Sequence, residues 1–162
     1  MEIKYLLALR DNPVAYPNDT DYKGEVKPIS LAEIINLEQL FNGGNQFPKA
    51  LRELLYLAGS YCYVLDYGGE TEDQQDLQET VRVYVANNNK VISRPYFVID
   101  TYNEGDQFLF VYLDEGDDPQ VHEAVFYDQT DFPDWIHKTS PGSLSQFISA
   151  RIERFKTGQN PF

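Results

Sequence analysis

The sequence predicts an α+β domain, in which a mainly antiparallel sheet of about four to six strands packs against two helices from the N-terminal half and one C-terminal helix. Two observations lead to this class. Apolar residues recur at helical spacing in residues 30–58 and 143–156, whereas they alternate with a period of two in residues 95–128. The two kinds of segment are grouped along the chain, which is typical of α+β proteins.

Length and composition indicate one globular domain. The chain has 162 residues, of which 42% are hydrophobic and 14% aromatic. We take residues 1–162 as a single domain, with residues 1–29 as an N-terminal extension or loop and residues 30–157 as the core. Cys62, the single cysteine, cannot form an internal disulfide, so we expect a buried, inert thiol in a reducing compartment. The apolar run Leu6–Leu9 is too short for a signal peptide, and a cytoplasmic protein is expected.

The first elements are a short segment and a capped helix. The segment Glu2–Leu9 is either a strand or a helix, and a loop rich in Pro and Asp follows it through Pro28. Ser30 and Glu33 have the spacing of a capping box, which predicts that a helix begins there. The apolar stripe of this helix is predicted to contain Leu31, Ile34, Ile35, Leu37 and Leu40.

A second helix and a strand are predicted next. The segment NGGN, residues 42–45, ends the first helix, and Pro48 is suited to the first position of another helix that stops at Gly59. The aromatic and β-branched run YCYVLDY, residues 61–67, predicts a strand.

The segment after this strand is ambiguous. Thr71 and Gln74 have the spacing of a weaker capping box, but the valine-rich residues 78–89 leave helix and strand open. We expect a helix in the first half of the segment and an end at NNN, residues 87–89. The apolar side of such a helix would contain Leu77, Val81, Val83, Tyr84 and Val85.

Period-two patterns predict the sheet. YFVIDTY (residues 96–102) and QFLFVYL (107–113) flank the turn-forming NEGD and indicate a β-hairpin. In the second run, Leu109, Val111 and Leu113 lie on one face while Phe108, Phe110 and Tyr112 lie on the other. Both faces are therefore apolar, which predicts a central strand. VHEAVFYD, residues 121–128, predicts the next strand.

The chain is predicted to close with a helix. The segment DFPDWIHKTSPG, residues 131–142, has no clear period and is expected to be irregular. Ser143 and Gln146 have capping-box spacing, and Gly158 marks the end of the helix. Its apolar side is predicted to contain Leu144, Phe147, Ile148, Ile152 and Phe155.

The negative charge is concentrated in the centre of the chain. Residues 66–128 contain 15 acidic and three basic residues, whereas the rest of the chain contains 11 acidic and 10 basic ones. We expect these acidic side chains to converge on one exposed surface. Such a surface repels nucleic acid and anionic membranes and favours a basic protein partner, although the same charge also serves solubility.

Metal and catalytic sites are not indicated. The carboxylates of DEGDDPQ, residues 114–120, fail the ligand spacing of a calcium loop, and one Cys with His122 and His137 cannot make a zinc site. Neighbouring carboxylates on an exposed turn keep ordinary pKa values, which disfavours a hydrolase with paired acids. His122 and Glu123 point to opposite faces of a strand and cannot form a dyad. We therefore expect no catalytic residues, metal or cofactor.

The acidic turn instead has the composition of an interface, because carboxylates pair with Lys or Arg and aromatic rings anchor a partner. Tyr127 lies further along the chain and adds to this aromatic content. The candidate partner-binding residues are Tyr67, Tyr112, Asp114, Glu115, Asp117, Asp118 and Trp135.

Three segments resemble the SUKH superfamily, also called the Smi/Knr family. They are ISLAEIINLEQLFNGGNQFPKALRELLYLAGS, FLFVYLDEGDDPQV and SLSQFI, and the resemblance spans roughly residues 30–150. EGDDPQV is similar to the signature Glu-Gly-Asp-(Asp or Asn)-Pro-Pro-Val of the family. Gln120 replaces the second Pro, and His122 stands where an aromatic residue is common. The signature residues are Glu115, Gly116, Asp117, Asp118, Pro119 and Val121.

The resemblance implies an α+β fold and a non-enzymatic role. Most bacterial members are thought to be immunity proteins, which bind and neutralise a cognate toxin domain that is often a nuclease. Other members act as intracellular regulatory or scaffolding modules, and this alternative stays open. The signature is also compatible with a structural role, in which Asp117 or Asp118 caps backbone amides and Gly116 adopts a positive φ.

Overall fold

A four-stranded antiparallel sheet forms the centre of the fold. The computed structural model describes residues 1–16, 18, 24–67, 71–126 and 134–160. Each strand pairs with the next one along the chain, in the order β1-β2-β3-β4. The predicted α+β class and the predicted hairpin are therefore confirmed. The strands are β1 (Tyr96–Tyr102), β2 (Gln107–Tyr112), β3 (Gln120–Val125) and β4 (Ile136–Ser143).

Five helices of the described residues surround the sheet. Two of the three predicted capping boxes are present: the backbone N–H of Ser30 donates to Glu33 over 2.8 Å, and that of Ser143 donates to Gln146 over 3.3 Å. No helix in the described part of the chain is long and apolar enough to cross a membrane. The helices are α1 (Leu7–Asp11), α2 (Leu31–Phe41), α3 (Lys49–Ala58), α4 (Gln74–Asn87) and α5 (Leu144–Lys156).

Strand β2 separates two hydrophobic cores. Leu109, Val111 and Leu113 pack into the larger core with α1, α2, α3 and α5. Phe108 and Phe110 point the other way, into a smaller core that α4 covers. The prediction of a central strand with two apolar faces is confirmed.

The predicted strand at residues 61–67 is wrong. Only Tyr61 makes a strand-like bridge, with Lys27, and the following four residues are buried in the larger core. The segment is apolar because it is a buried loop. The backbone N–H groups of the loop find hydrogen-bond acceptors in a side chain: Asp100 accepts the N–H groups of Asp66 and Tyr67 over 2.8 and 2.9 Å.

The ambiguous segment forms one continuous helix, so the expectation of a helix in its first half only is wrong. Asp73, rather than Thr71, caps α4, since its side chain accepts the N–H of Asp76 over 2.9 Å. Burial of Leu77, Val81 and Val85 in the smaller core outweighs the weak helix propensity of valine. Val83 lies on the opposite side and is 55% exposed.

Helix α2 buries a narrower side than predicted. Ile34 and Leu37 are buried, whereas Leu31, Ile35 and Leu40 are about half exposed. The buried polar residue of this side is a glutamate at position 38, whose carboxylate accepts the backbone N–H of residue 47 over 2.8 Å.

Strand β4 occupies residues that were predicted to be irregular. It lies at the edge of the sheet, and most of its residues are partly exposed on both faces. A clear alternation of polar and apolar residues is therefore missing, and Pro141 is tolerated because an edge strand has free backbone positions. Residues 131–133 of that prediction lie outside the described residues.

Residues before position 30 also contribute to the larger core. Leu6 and Leu9 are almost completely buried. Glu53 of α3, with no exposed surface, accepts the backbone N–H groups of Lys4, Tyr5 and Leu6 over 2.8, 2.8 and 2.9 Å. The first segment, predicted as a strand or a helix over Glu2–Leu9, is helical only from Leu7, where α1 begins, and residues 2–6 form neither.

Candidate partner-binding surfaces

The acidic turn, defined here as Asp114–Pro119, connects β2 and β3 as predicted. Gly116 has a φ of +84°, and nothing lies within 4 Å of a Cβ placed on it. The backbone conformation, rather than lack of space, therefore requires glycine at this position.

Arg94 forms ion pairs with the first two carboxylates of the turn. Its guanidinium donates to Asp114 through Nε over 3.1 Å and to Glu115 through Nη1 over 3.1 Å. The guanidinium carbon lies 3.8 Å from the ring centroid of Tyr112. Hydrogen bonds from Arg94 lower the pKa of Asp114, so the expectation of ordinary pKa values in this turn is wrong for that residue.

The second half of the turn holds the N-termini of two helices. Asp118 accepts the backbone N–H of Ser145 over 2.9 Å and its hydroxyl over 2.6 Å, and the carbonyl of Pro119 accepts the N–H of Leu144 over 2.8 Å. The carbonyl of Asp117 accepts the N–H of Ala50, at the start of α3, over 2.8 Å. The acidic turn therefore has a structural role.

The remaining carboxylate of the turn, that of Asp117, is exposed and lies 3.4 Å from the hydroxyl of Tyr5. Each of the four acidic side chains therefore has a partner within the chain. This arrangement differs from the free acidic turn that the sequence suggested.

The other predicted aromatic anchors lie away from the turn. Tyr67 is packed between the two cores and donates its hydroxyl to the carbonyl of Ala58 over 2.9 Å. Trp135 stacks on Phe126, with centroids 5.8 Å apart, at the rim of the smaller core. Tyr127 lies outside the described residues. Of the predicted site residues, the structure connects Tyr112, Asp114 and Glu115 through a shared cation.

Sequence reasoning missed this cation, Arg94. Tyr96 pairs with Tyr112 in the hairpin, so the positions two residues outside this pair, 94 and 114, also lie opposite each other. Extending the hairpin register beyond the strands would have found the ion pair.

His122 is the second residue that was missed. It is 5% exposed, and its Nε2 lies 3.5 Å from Oε2 of Glu115. The predicted separation from Glu123 is confirmed, because the carboxylate of Glu123 accepts a hydrogen bond from the side chain of Gln107 instead.

Acidic residues are clustered in sequence just before and within α4. Six acidic residues and no Lys or Arg occur in residues 66–81. The α4 acidic surface is defined by the described members of this group, and none of them forms an ion pair with a lysine or arginine of the described residues. The group consists of Asp66, Glu72, Asp73, Asp76 and Glu79.

The acidic residues of positions 66–128 do not form the single unpaired surface that was predicted. Asp100 is fully buried and pairs with Arg151 over 3.0 Å. Asp114 and Glu115 pair with Arg94, and Asp118 caps α5. The charge pattern of the sequence identifies an excess of acids but not which of them lie beside a cation.

Metal binding and thiol chemistry find little support in the described residues. No group of three or more His, Cys, Asp or Glu side chains that could hold a metal ion occurs among them. Cys62 is buried, and burial raises the pKa of its thiol to about 12, so the reactive thiolate is disfavoured.

Comparison of this chain with known families, proteins and structures finds no match. No protein-family model, no curated protein and no solved structure matches this chain. Membership of the SUKH superfamily stays a prediction that rests on the quoted motifs.

The structural role of the turn predicts unequal effects of two substitutions. Asp118→Ala removes the side-chain acceptor of the Ser145 amide and hydroxyl in the first turn of α5, and is expected to lower the free energy of unfolding by about 1–2 kcal/mol. Asp114→Ala, in the same turn, breaks an exposed ion pair and is expected to cost less than about 1 kcal/mol. Urea unfolding of both variants measures the difference. Equal losses would contradict the capping role of Asp118.

Proposed function

We propose that this chain is a non-enzymatic binding protein of the immunity type, which acts in the cytoplasm and neutralises a basic toxin domain through its α4 acidic surface. The observation that carries this proposal is a group of carboxylates that form no ion pair with a Lys or Arg of the described residues; Arg82 interacts electrostatically with Glu79 but does not pair with it. Asp66, Glu72, Asp73 and Glu79 are exposed, and none has a Lys or Arg partner among the described residues.

This surface suits a basic partner better than the acidic turn does. At the turn, a partner would have to compete with Arg94 for Asp114 and Glu115. At α4, the carboxylates are available for Lys or Arg side chains of the partner, and their summed field speeds the encounter.

An apolar contact is available on the same side of α4. Asp76, Glu79 and Val83 are spaced three and four residues apart, so they share one side of the helix, opposite the residues buried in the smaller core. The 55% exposed Val83 would contact an apolar residue of the partner beside the charge pairs. Charge would then govern the rate of association, and shape at Val83 would contribute to selectivity.

A regulatory or scaffolding module of the same family is the second candidate. It is favoured by Leu31, Ile35 and Leu40 of α2, which are about half exposed and offer apolar surface outside the α4 acidic surface. This function predicts a phenotype on deletion in cells without any toxin, whereas an immunity protein is dispensable in such cells.

A charge-removal variant tests the proposed surface. The triple substitution Asp66→Asn, Glu72→Gln and Glu79→Gln is expected to weaken binding to the protein encoded by the adjacent gene about tenfold or more, because each lost charge pair contributes up to about 1 kcal/mol. Calorimetry at 50 and 500 mM salt measures the affinity, and high salt is expected to weaken wild-type binding.

The matched control removes three charges elsewhere. Glu2, Glu25 and Glu153 are exposed and distant from α4 in sequence. Their triple substitution to Gln removes three negative charges, so this control has the same net charge as the α4 variant. Affinity within about twofold of wild type is expected for this control. Equal weakening of the two triple variants, or binding that is indifferent to salt, would contradict the α4 acidic surface as the binding site.

A further inference from the structure

A buried polar pair lies behind the acidic turn, and the proposed function does not use it. Nε2 of His122 and Oε2 of Glu115 are both buried, face each other at 3.5 Å, and have no hydrogen-bond partner among the described residues. Buried polar atoms are rarely left in this state, because each costs free energy that a hydrogen bond would offset.

The surroundings of the imidazole disfavour a positive charge on balance. Its ring stacks on Phe110 at 5.4 Å and meets the edge of Tyr112 at 4.7 Å, so little water reaches it. Among the described residues, the cations Arg94, before β1, and Lys138, on β4, face the imidazole, and the carboxylate that faces it, that of Glu115, already binds Arg94.

The carboxylate of the pair belongs to the acidic turn, and the turn joins two helices to the sheet. Carbonyl groups of the turn accept the N–H groups of Ala50 and Leu144, and Asp118 accepts that of Ser145. A turn that moves away from His122 would weaken these three hydrogen bonds together, since three consecutive residues, 117–119, make them.

We propose that the acidic turn is a proton-operated latch, in which protonation of His122 releases the turn from the N-termini of α3 and α5. In the closed state, His122 is neutral and sealed between the sheet and Glu115. In the open state, the imidazolium is hydrated and separated from Arg94 and Lys138. The latch stands independently of the proposed toxin partner.

The direction of the pH effect follows from the closed structure. Burial lowers the pKa of His122 below its ordinary value, Lys138 and Arg94 act in the same direction, and Glu115 opposes them. The open state therefore binds the proton more readily than the closed state. Above about pH 6.5, the free energy that favours the closed state over the open state is at its maximum. It decreases as the pH falls from there through the lowered pKa of His122 in the closed state.

Amide hydrogen exchange tests the latch in the full-length protein. After correction for intrinsic exchange, the protection of the Ala50, Leu144 and Ser145 amides is expected to fall at least threefold, and up to about 25-fold, between pH 7 and pH 5 for one proton taken up. The Glu33 amide, which donates to Ser30 in α2, serves as the reference and is expected to stay constant.

Two histidine variants complete the test. His122→Phe is expected to remove the pH dependence of the three amides, whereas His137→Asn, which removes the other histidine, is expected to keep it. Unchanged protection in the wild type, or full pH dependence in His122→Phe, would overturn the latch.

If His122→Phe does not fold, an NMR titration of the His122 imidazole in the wild type tests the latch instead, because its midpoint measures the pKa of that group. A midpoint below about 6.5, together with loss of protection at the three amides, supports the latch. A midpoint at or above that value overturns it.

Discussion

Replacing Asp100 by alanine is expected to lower the free energy of unfolding by about 3–5 kcal/mol. The fully buried carboxylate faces Nη1 of Arg151 at 3.0 Å and accepts the N–H groups of Asp66 and Tyr67. Its loss removes the carboxylate that faces the buried guanidinium and the acceptor of the two amides. Because small domains are stable by only about 5–15 kcal/mol, urea unfolding should show a large shift of the midpoint.

Two further variants test whether the loss of stability comes from breaking the buried ion pair. Adding Arg151→Met to Asp100→Ala also removes the buried cation that faced the carboxylate, so the double variant is expected to regain part of the stability. Glu153→Ala breaks an exposed ion pair with Lys156 in the same helix and is expected to change stability by less than about 1 kcal/mol. A loss below about 1 kcal/mol for Asp100→Ala would show that the buried pair does not hold the loop at residues 61–67.

Glu53→Gln is expected to cost about 2–4 kcal/mol, although glutamine has almost the same shape. The two oxygens of Glu53 accept three backbone N–H groups of residues 4–6. An amide group removes the charge and turns one end of the side chain into a donor that faces other donors. Residues 1–6 should then detach from α3, and trypsin should cleave after Lys4 faster than in the wild type.

The matched control is Glu79→Gln. Glu79 is an exposed helical glutamate that accepts a hydrogen bond from Gln75, so the same chemical change is expected to alter stability by less than about 0.5 kcal/mol. Similar stability and similar tryptic cleavage for the Glu53 and Glu79 variants would contradict the anchoring role of Glu53.

The elements that could be predicted are those with a local signal. The capping boxes at Ser30 and Ser143 join residues three positions apart, and the hairpin of β1 and β2 is marked by period-two runs around a four-residue turn. The two apolar faces of β2 identified the central strand. Each of these features depends on side chains and backbone groups that are close in sequence.

The errors arose where burial or exposure is set by distant parts of the chain. Residues 61–67 resemble a strand in composition, but Asp100, more than 30 positions away, satisfies the backbone of the loop. Strand β4 lacks a pattern because it lies at the edge of the sheet, and Val83 looks like a core residue although α4 points it outward.

For the candidate binding surface, the sequence alone determined the excess of acids in residues 66–128 and the position of a Gly-containing turn between two strands. Only the tertiary structure decided which acids remain available, because packing brings Arg94 to Asp114 and Glu115, Arg151 to Asp100, and the N-terminus of α5 to Asp118. The distances that govern these pairs are distances in space, between residues 20 or more positions apart, and they exist only after the sheet and its helices have packed.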